Sequence, residues 1–180
     1  MAVRPVLRMG DPRLLERSQE VERFGTPELE QLLVDMHDTM TALSGAGLAA
    51  PQIGVQQRVV IFGVGHNPRY PDAEQVPYTV LINPIITPVG DEQEEDWEGC
   101  LSVPDLRGQV PRYTRVRVEA YDRAGQVLRF TADGFHARVV QHECDHLDGT
   151  VYLDRMRSMA TLSFLPEFQR YTLGRDPEGD

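Results

Sequence analysis

Thiols are scarce in this 180-residue chain, with Cys100 and Cys144 the only two. Two cysteines allow one disulfide at most, and a reducing compartment makes a ligand, a nucleophile or a buried apolar thiol the better use. Long apolar runs are also missing. None approaches the roughly 20 residues that span a bilayer. The opening "MAVRPVLRMGDPRLL" lacks the apolar segment and cleavage site of a secretory signal, and the Arg/Ser-rich character of an organellar one. A cytoplasmic protein without membrane contact is expected. Positive charge is the third shortage. Against 28 Asp and Glu stand 18 Lys and Arg, and the resulting net charge of −10 argues against stable nucleic-acid binding, which depends on neutralising phosphates.

What is present suits one globular domain with its own core. Thr26-Pro27-Glu28 carries an N-cap residue, a proline at the first helical position and an acid in the first turn. Leu29, Leu32, Leu33, Met36, Met40 and Leu43 then recur at helical spacing, so an amphipathic helix of about four turns is expected. His37 beside that stripe reads as packed or solvated. "SGAGLAAPQIG" interrupts regular structure. "VVIFGV" (59–64) and "TVLINPII" (79–86) read as strands, the second bent or placed at an edge by Pro84. Residues 66–77 and the acidic run "GDEQEEDWEG" (90–99) read as loops, the latter largely solvated. "RVRVEAY" and "QVLRFTA" around "DRAG" predict a hairpin. A helix follows Asp133-Gly134, with Gly149 as its C′ residue. A short helix before Pro166 and a disordered "GRDPEGD" end the chain. The expected fold is α+β: mixed or antiparallel sheets packed around a central helix bearing an HExxH motif, with an amphipathic helix near the N-terminus. Residues 1–155 are expected to form one catalytic domain and 156–180 a partly disordered tail.

That motif lies in "VVQHECDHLDG" (139–149). On a helix His142 and His146 stand about 40° apart and about 6 Å along one face, close enough to grip one cation. Glu143 on the adjoining flank can reach water bound by that cation without ligating it. Cys144 points away. Phe135 and Val139 share the histidine stripe, so that face looks into the protein. The third ligand decides the chemistry. The extended HExxHxxGxxH pattern fails, because Tyr152 occupies the last position. Glu167 lies near the offset that thermolysin-like endopeptidases use, although its helix would have to form around Pro166. Cys100 in "WEGCLSVP" (97–104) would complete a His₂Cys set with a fourth position open to water, as catalytic sites keep. A closed, non-catalytic metal-binding module is the remaining reading of the same residues.

"GAGLAAPQ" (45–52), "EGCLSVP" (98–104) and "QHECDHLDG" (141–149) together resemble the three motifs of the peptide deformylase family, in the same order, and "VLRMGDPRLL" is similar to its N-terminal strand and turn. The resemblance implies one divalent ion held by Cys100, His142 and His146, Fe²⁺ in the cell, with Zn²⁺, Ni²⁺ or Co²⁺ able to substitute. It implies Glu143 as acid/base, with Gln52 and the Leu101 N–H as donors to the oxyanion. The substrate would be the N-formyl-methionyl end of a nascent peptide, its backbone beside Ala46, Gly47 and Gly99. The methionine would enter a pocket of Ala46, Phe135 and Val139. Glu98 and Arg112 would pair to orient the cysteine loop or form an ordinary surface ion pair, Asp145 would orient a histidine or stand solvated on its helix, and Arg107 would face the exit side. Some members of that family end in a long basic helix thought to assist ribosome contact. This chain ends in "LSFLPEFQRYTLGRDPEGD", so any ribosome contact is expected to be transient.

Overall fold

The computed structural model describes residues 3–64 and 75–175, so the expected loop at 66–77 and the end of the tail lie largely outside the described residues. The first helix, α1 (Pro27–Ala42), starts where its signals stand: the Thr26 hydroxyl oxygen accepts from the Leu29 N–H at 3.2 Å, with Pro27 at the first turn. Leu29, Leu32, Leu33, Met36 and Met40 are buried with Leu48, Ile53, Ile61 and Ile82. Each such side chain removed from water contributes about 1.5–3 kcal/mol. The stripe stops one residue short of expectation, because the helix ends at Ala42 and Leu43 is 41% exposed.

Strands β1 (Gly47–Ala49), β2 (Val59–Val64) and β3 (Val76–Pro88) precede a second pair of strands, β4 (Gln93–Cys100) and β5 (Val103–Tyr113). The expected hairpin follows as β6 (Arg115–Tyr121) and β7 (Val127–Asp133), paired in register from Arg115–Asp133 to Tyr121–Val127. One antiparallel sheet runs β1-β2-β3-β6-β7. Pro84 does not place β3 at an edge, since the strand is central in this sheet, and the ladder is irregular around it. Pairing with β6 slips between Ile82 and Ile85, and Asn83 takes φ 52°, its side chain exchanging two hydrogen bonds with the Val21 backbone.

Most of the acidic run is not a loop. Residues 93–100 form β4, antiparallel to β5, in a second sheet of order β4-β5-β8, where β8 is Ser163–Phe164. Gln93–Asp96 expose both faces of the strand, so charge and pairing do not compete, and alternation gives no signal. The N-terminal strand also fails to form as a ladder. Residues 3–8 have no assigned element, yet Leu7 N–H donates to Gln52 C=O at 2.8 Å and Met9 N–H to Ser102 C=O at 2.7 Å.

Helix α2 (Gly134–Leu147) lies between the sheets. Ala137, Val140, Cys144 and Leu147 pack into the core with Val60, Phe62 and Val118. Burial pushes the Cys144 thiol up, keeping it neutral. Gly149 takes φ +72° and a Cβ there would lie 2.4 Å from the Leu15 carbonyl oxygen, so the C′ position requires glycine. In the tail, a 3₁₀ turn (Met159–Thr161) and β8 precede Pro166, and the helical turn α3 (Leu165–Glu167) holds that proline in its first turn instead of ending before it. Proline suits a helix start, where its missing N–H costs nothing. Phe168 is buried against Trp97, with ring centroids 4.7 Å apart. Among the described residues no helix is long and apolar enough to cross a membrane.

Candidate metal centre

The β4–β5 pairing slips between Glu98 and Cys100, and Cys100 pairs with Val103 across the tight turn at Leu101 and Ser102. Cys100 thus ends β4 under α2. Its Sγ lies 3.3 Å from His146 Nε2, and the ligand atoms of Cys100, His142 and His146 all fall within 4.8 Å of one another. All three residues are buried, and among the described residues no other group of this kind occurs. Glu167 is exposed and outside it, which removes the thermolysin-like completion.

Glu98 is the electrostatic hub. One carboxylate oxygen accepts from Arg112 Nε and Arg138 Nη1, each at 2.9 Å. The other accepts from Arg112 Nη2 at 3.0 Å and lies 2.8 Å from His142 Nδ1. Burial alone would push Glu98 up, but the Arg112 guanidinium holds it far below the usual carboxylate range. With Nδ1 so engaged, His142 offers Nε2 as its donor, the arrangement that orients many metal-ligating histidines. Burial likewise opposes ionisation of Cys100, but the imidazoles of His146 and His142 outweigh it and hold the thiol well below its ordinary value. Burial pushes the His142 imidazole down, and Cys100 and Glu98 more than reverse that. The cysteine is therefore biased toward thiolate, the form that binds a metal.

Glu143 is buried on the next flank. Burial is the largest influence on it and raises its carboxyl to about 7, and its Oε2 has no hydrogen-bond partner. A Cβ on Gly47 would lie 2.4 Å from Glu143 Oε1, so only glycine leaves that carboxylate its place. Gln52 Oε1 accepts from the Ala49 N–H at 2.8 Å, which turns Nε2 toward Ser102 Oγ (3.1 Å) and Cys100 Sγ (3.5 Å). One cavity is lined by Ala46, Gly47, Gln52, Glu98, Gly99, Cys100, Leu101, Phe135, Val139, His142 and Glu143, bringing the three sequence motifs together.

One residue departs from expectation. Asp145 orients no histidine; it pairs with Arg112 at 2.6 Å and Arg155 at 2.8 Å, because its place on the helix turns it toward β5. Arg107 packs beside Gly99, where a Cβ would lie 2.2 Å from its Nη1, and lines a neighbouring cavity with Leu101 and Leu165. Sequence reasoning overlooked Arg138 and Ser102. Arg138 is an ordinary helix residue by pattern, and its partners lie 28 to 44 positions away. The "CLS" triplet could have pointed to Ser102, whose N–H donates to Cys100 Sγ at 3.4 Å.

A thiolate and two imidazole nitrogens, buried beside a carboxylate oxygen without a partner, fit a divalent transition metal with room for water. The family model for polypeptide deformylase matches residues 3–161. The chain belongs to the peptide deformylase family. It is 62% identical over 162 residues to peptide deformylase 1 of Nitrosomonas europaea, covering 90% of this chain and 92% of that one. Peptide deformylase 2 of Ralstonia nicotianae is 60% identical with the same coverage. Among solved structures, the class I type b peptide deformylase of Acinetobacter baumannii with Met-Ala-Ser bound superposes with a TM-score of 0.83 at 40% identity, covering 86% of this chain and 99% of that one. Peptide deformylases are metalloenzymes, and their function is deformylation of nascent peptides. The chain is a deformylase hydrolase of translation, and its mixed helix and antiparallel-sheet fold is theirs.

Proposed function

We propose that Cys100, His142 and His146 hold the metal and that Glu143 moves the proton in hydrolysis of the formyl group from N-formyl-methionyl peptides. The observation that carries this is the meeting of the three ligand atoms within 4.8 Å beside Glu143 in one cavity. A divalent ion in that group supplies a Lewis acid and lowers the pKa of water. Glu143 Oε2 accepts the proton of the attacking water. A carboxyl raised to about 7 is suited to giving that proton back to the leaving amine. As charge develops on the formyl oxygen, Gln52 Nε2 and the Leu101 N–H donate to it, the amide already oriented by Ala49 and Ser102. Formate and a free N-terminus result. Ala46, Gly47 and Gly99 line the peptide backbone, and Ala46, Phe135 and Val139 take the methionine. The Acinetobacter baumannii deformylase is solved with Met-Ala-Ser bound, which supports a methionyl peptide as the kind of ligand.

Glu98 and Arg112 support the cysteine loop and His142, and Asp145 supports Arg112. In this reading α2 is the central catalytic helix, α1 is an amphipathic brace, residues 1–155 are the catalytic domain and 156–180 its tail. Iron is the metal in the cell, with Zn²⁺, Ni²⁺ or Co²⁺ as substitutes. The enzyme works in the cytoplasm, meets nascent chains through transient ribosome contact, and binds neither nucleic acid stably nor membrane.

The test is formate release from formyl-Met-Ala-Ser by Fe²⁺-loaded protein without oxygen. Glu143→Gln should keep the metal and lose at least about a thousandfold in kcat. No formate from the wild type, or a variant as active as the wild type, would reject the assignment. Iron is tested separately: air should inactivate the Fe²⁺ form through the metal or Cys100 and spare the Ni²⁺ form.

A further inference from the structure

At about 100° per residue, α2 presents three unlike faces. Ala137, Val140, Cys144 and Leu147 share an arc of about 80° toward the five-stranded sheet. Val139, His142, Glu143 and His146 share one of about 100° toward the metal centre. The third, again about 100° wide, holds Arg138, Gln141, His142 and Asp145 at spacing i, i+3, i+4, i+7. Every member of this third stripe bonds to β4 or β5. Arg138 donates to Val110 C=O and Glu94 C=O, both at 2.7 Å, and to Glu98. Gln141 accepts from Tyr113 N–H at 3.1 Å and donates to its C=O at 2.8 Å. His142 meets Glu98, and Asp145 meets Arg112.

The metal-capable group is divided between these same elements: both histidines ride on α2, and the cysteine ends β4. We infer that Arg138 and Gln141 are positioning residues that lock α2 onto the β4–β5 hairpin and so set where Cys100 stands relative to His142 and His146. Arg138 is the stronger of the two. Its buried guanidinium spans both strands and shares the Glu98 carboxylate that orients His142. Gln141 acts through one residue of β5, and needs both a donor and an acceptor on the same side chain. The inference deepens the proposed role of the three ligands and rests on it.

The experiment loads wild type, Arg138→Met, Arg138→Lys and Gln141→Met with Co²⁺. It records the thiolate-to-cobalt and ligand-field absorption bands, the rate of Co²⁺ release to excess EDTA, and kcat and KM on formyl-Met-Ala-Ser. Val118→Ala, a core truncation in the five-stranded sheet, controls for lost stability alone. Arg138→Met should release Co²⁺ at least about tenfold faster with shifted bands, and lower kcat with KM within about twofold. Arg138→Lys should recover part of the loss, Gln141→Met should move less in the same direction, and Val118→Ala should release Co²⁺ as the wild type does. Wild-type bands and release rates in both Arg138→Met and Gln141→Met would overturn the inference, as would equal acceleration by Val118→Ala. If Arg138→Met does not fold, Arg138→Lys and Gln141→Met decide. The catalytic roles fail separately, on the formate assay of the wild type.

Discussion

Gly47 shows how narrowly single residues are set in this site. With a Cβ 2.4 Å from Glu143 Oε1, Gly47→Ala forces the carboxylate aside while leaving the metal ligands alone. Its kcat should fall by about a hundredfold or more, with metal content and melting temperature close to wild type; metal analysis and steady-state kinetics check both. Glu143 yields a prediction in pH. Its folded-state carboxyl titrates near 7, above the 4.5 of an unperturbed one. In protein stripped of metal, wild type and Glu143→Gln should differ least below pH 4.5, where the carboxyl is protonated in both folded and unfolded chains. As pH rises through 4.5 to 7 the unfolded chain ionises first, so the wild type loses stability relative to the variant. The gap levels off above 7 at on the order of 3 kcal/mol. Urea unfolding at pH 4 and pH 8 measures it. At this scale the motif residues were legible because HExxH spacing is local. Cys100 was legible as a candidate because the other cysteine points away from the histidines, and the joint resemblance of three motifs singled it out. Arg138 was not legible at all, since a helix arginine carries no mark of the carbonyls it will meet.

Among the elements, those whose signals lie within a few residues were readable: α1 from its cap and stripe, the β6–β7 hairpin from alternation about a turn, α2 from its start and its closing glycine. β4 was not, because Gln93–Asp96 expose both faces and only the pairing with β5 makes them a strand. The N-terminal segment is a related case. It forms no ladder, yet it ties the backbone of Gln52 to that of Ser102 through the Leu7 and Met9 N–H groups. Leu7→Pro deletes the first of these donors. A loss of about 1 kcal/mol is expected, with a fall in kcat larger than any change in KM, because Gln52 carries the amide beside the reacting group. Denaturation and kinetics on one preparation distinguish this from a segment that merely covers the surface.

Across the whole molecule, strand order was beyond the sequence. No local pattern says that β3 pairs with β6 while β4 and β5 leave to form a second sheet with β8. The packing of the tail was out of reach for the same reason, since Phe168 on Trp97 joins positions 71 apart. Trp97 is the only tryptophan, so its emission reports that contact directly. Phe168→Ala should shift the emission to the red and lower stability by about 2–4 kcal/mol, while formyl-peptide hydrolysis is kept. Unchanged emission would mean that the tail does not rest there in solution. The three faces of α2 have a further consequence for how the protein opens. Turn the helix about its axis by one residue in one sense and the apolar stripe meets the β4–β5 carbonyl groups while Glu143 and His146 enter the hydrocarbon of the larger sheet. Turn it in the other and Arg138 enters that hydrocarbon. No partly rotated arrangement satisfies two of its neighbours at once. α2 therefore has a single azimuth, and its central amides should exchange with solvent only when the entire molecule unfolds, at the slowest rate in the chain.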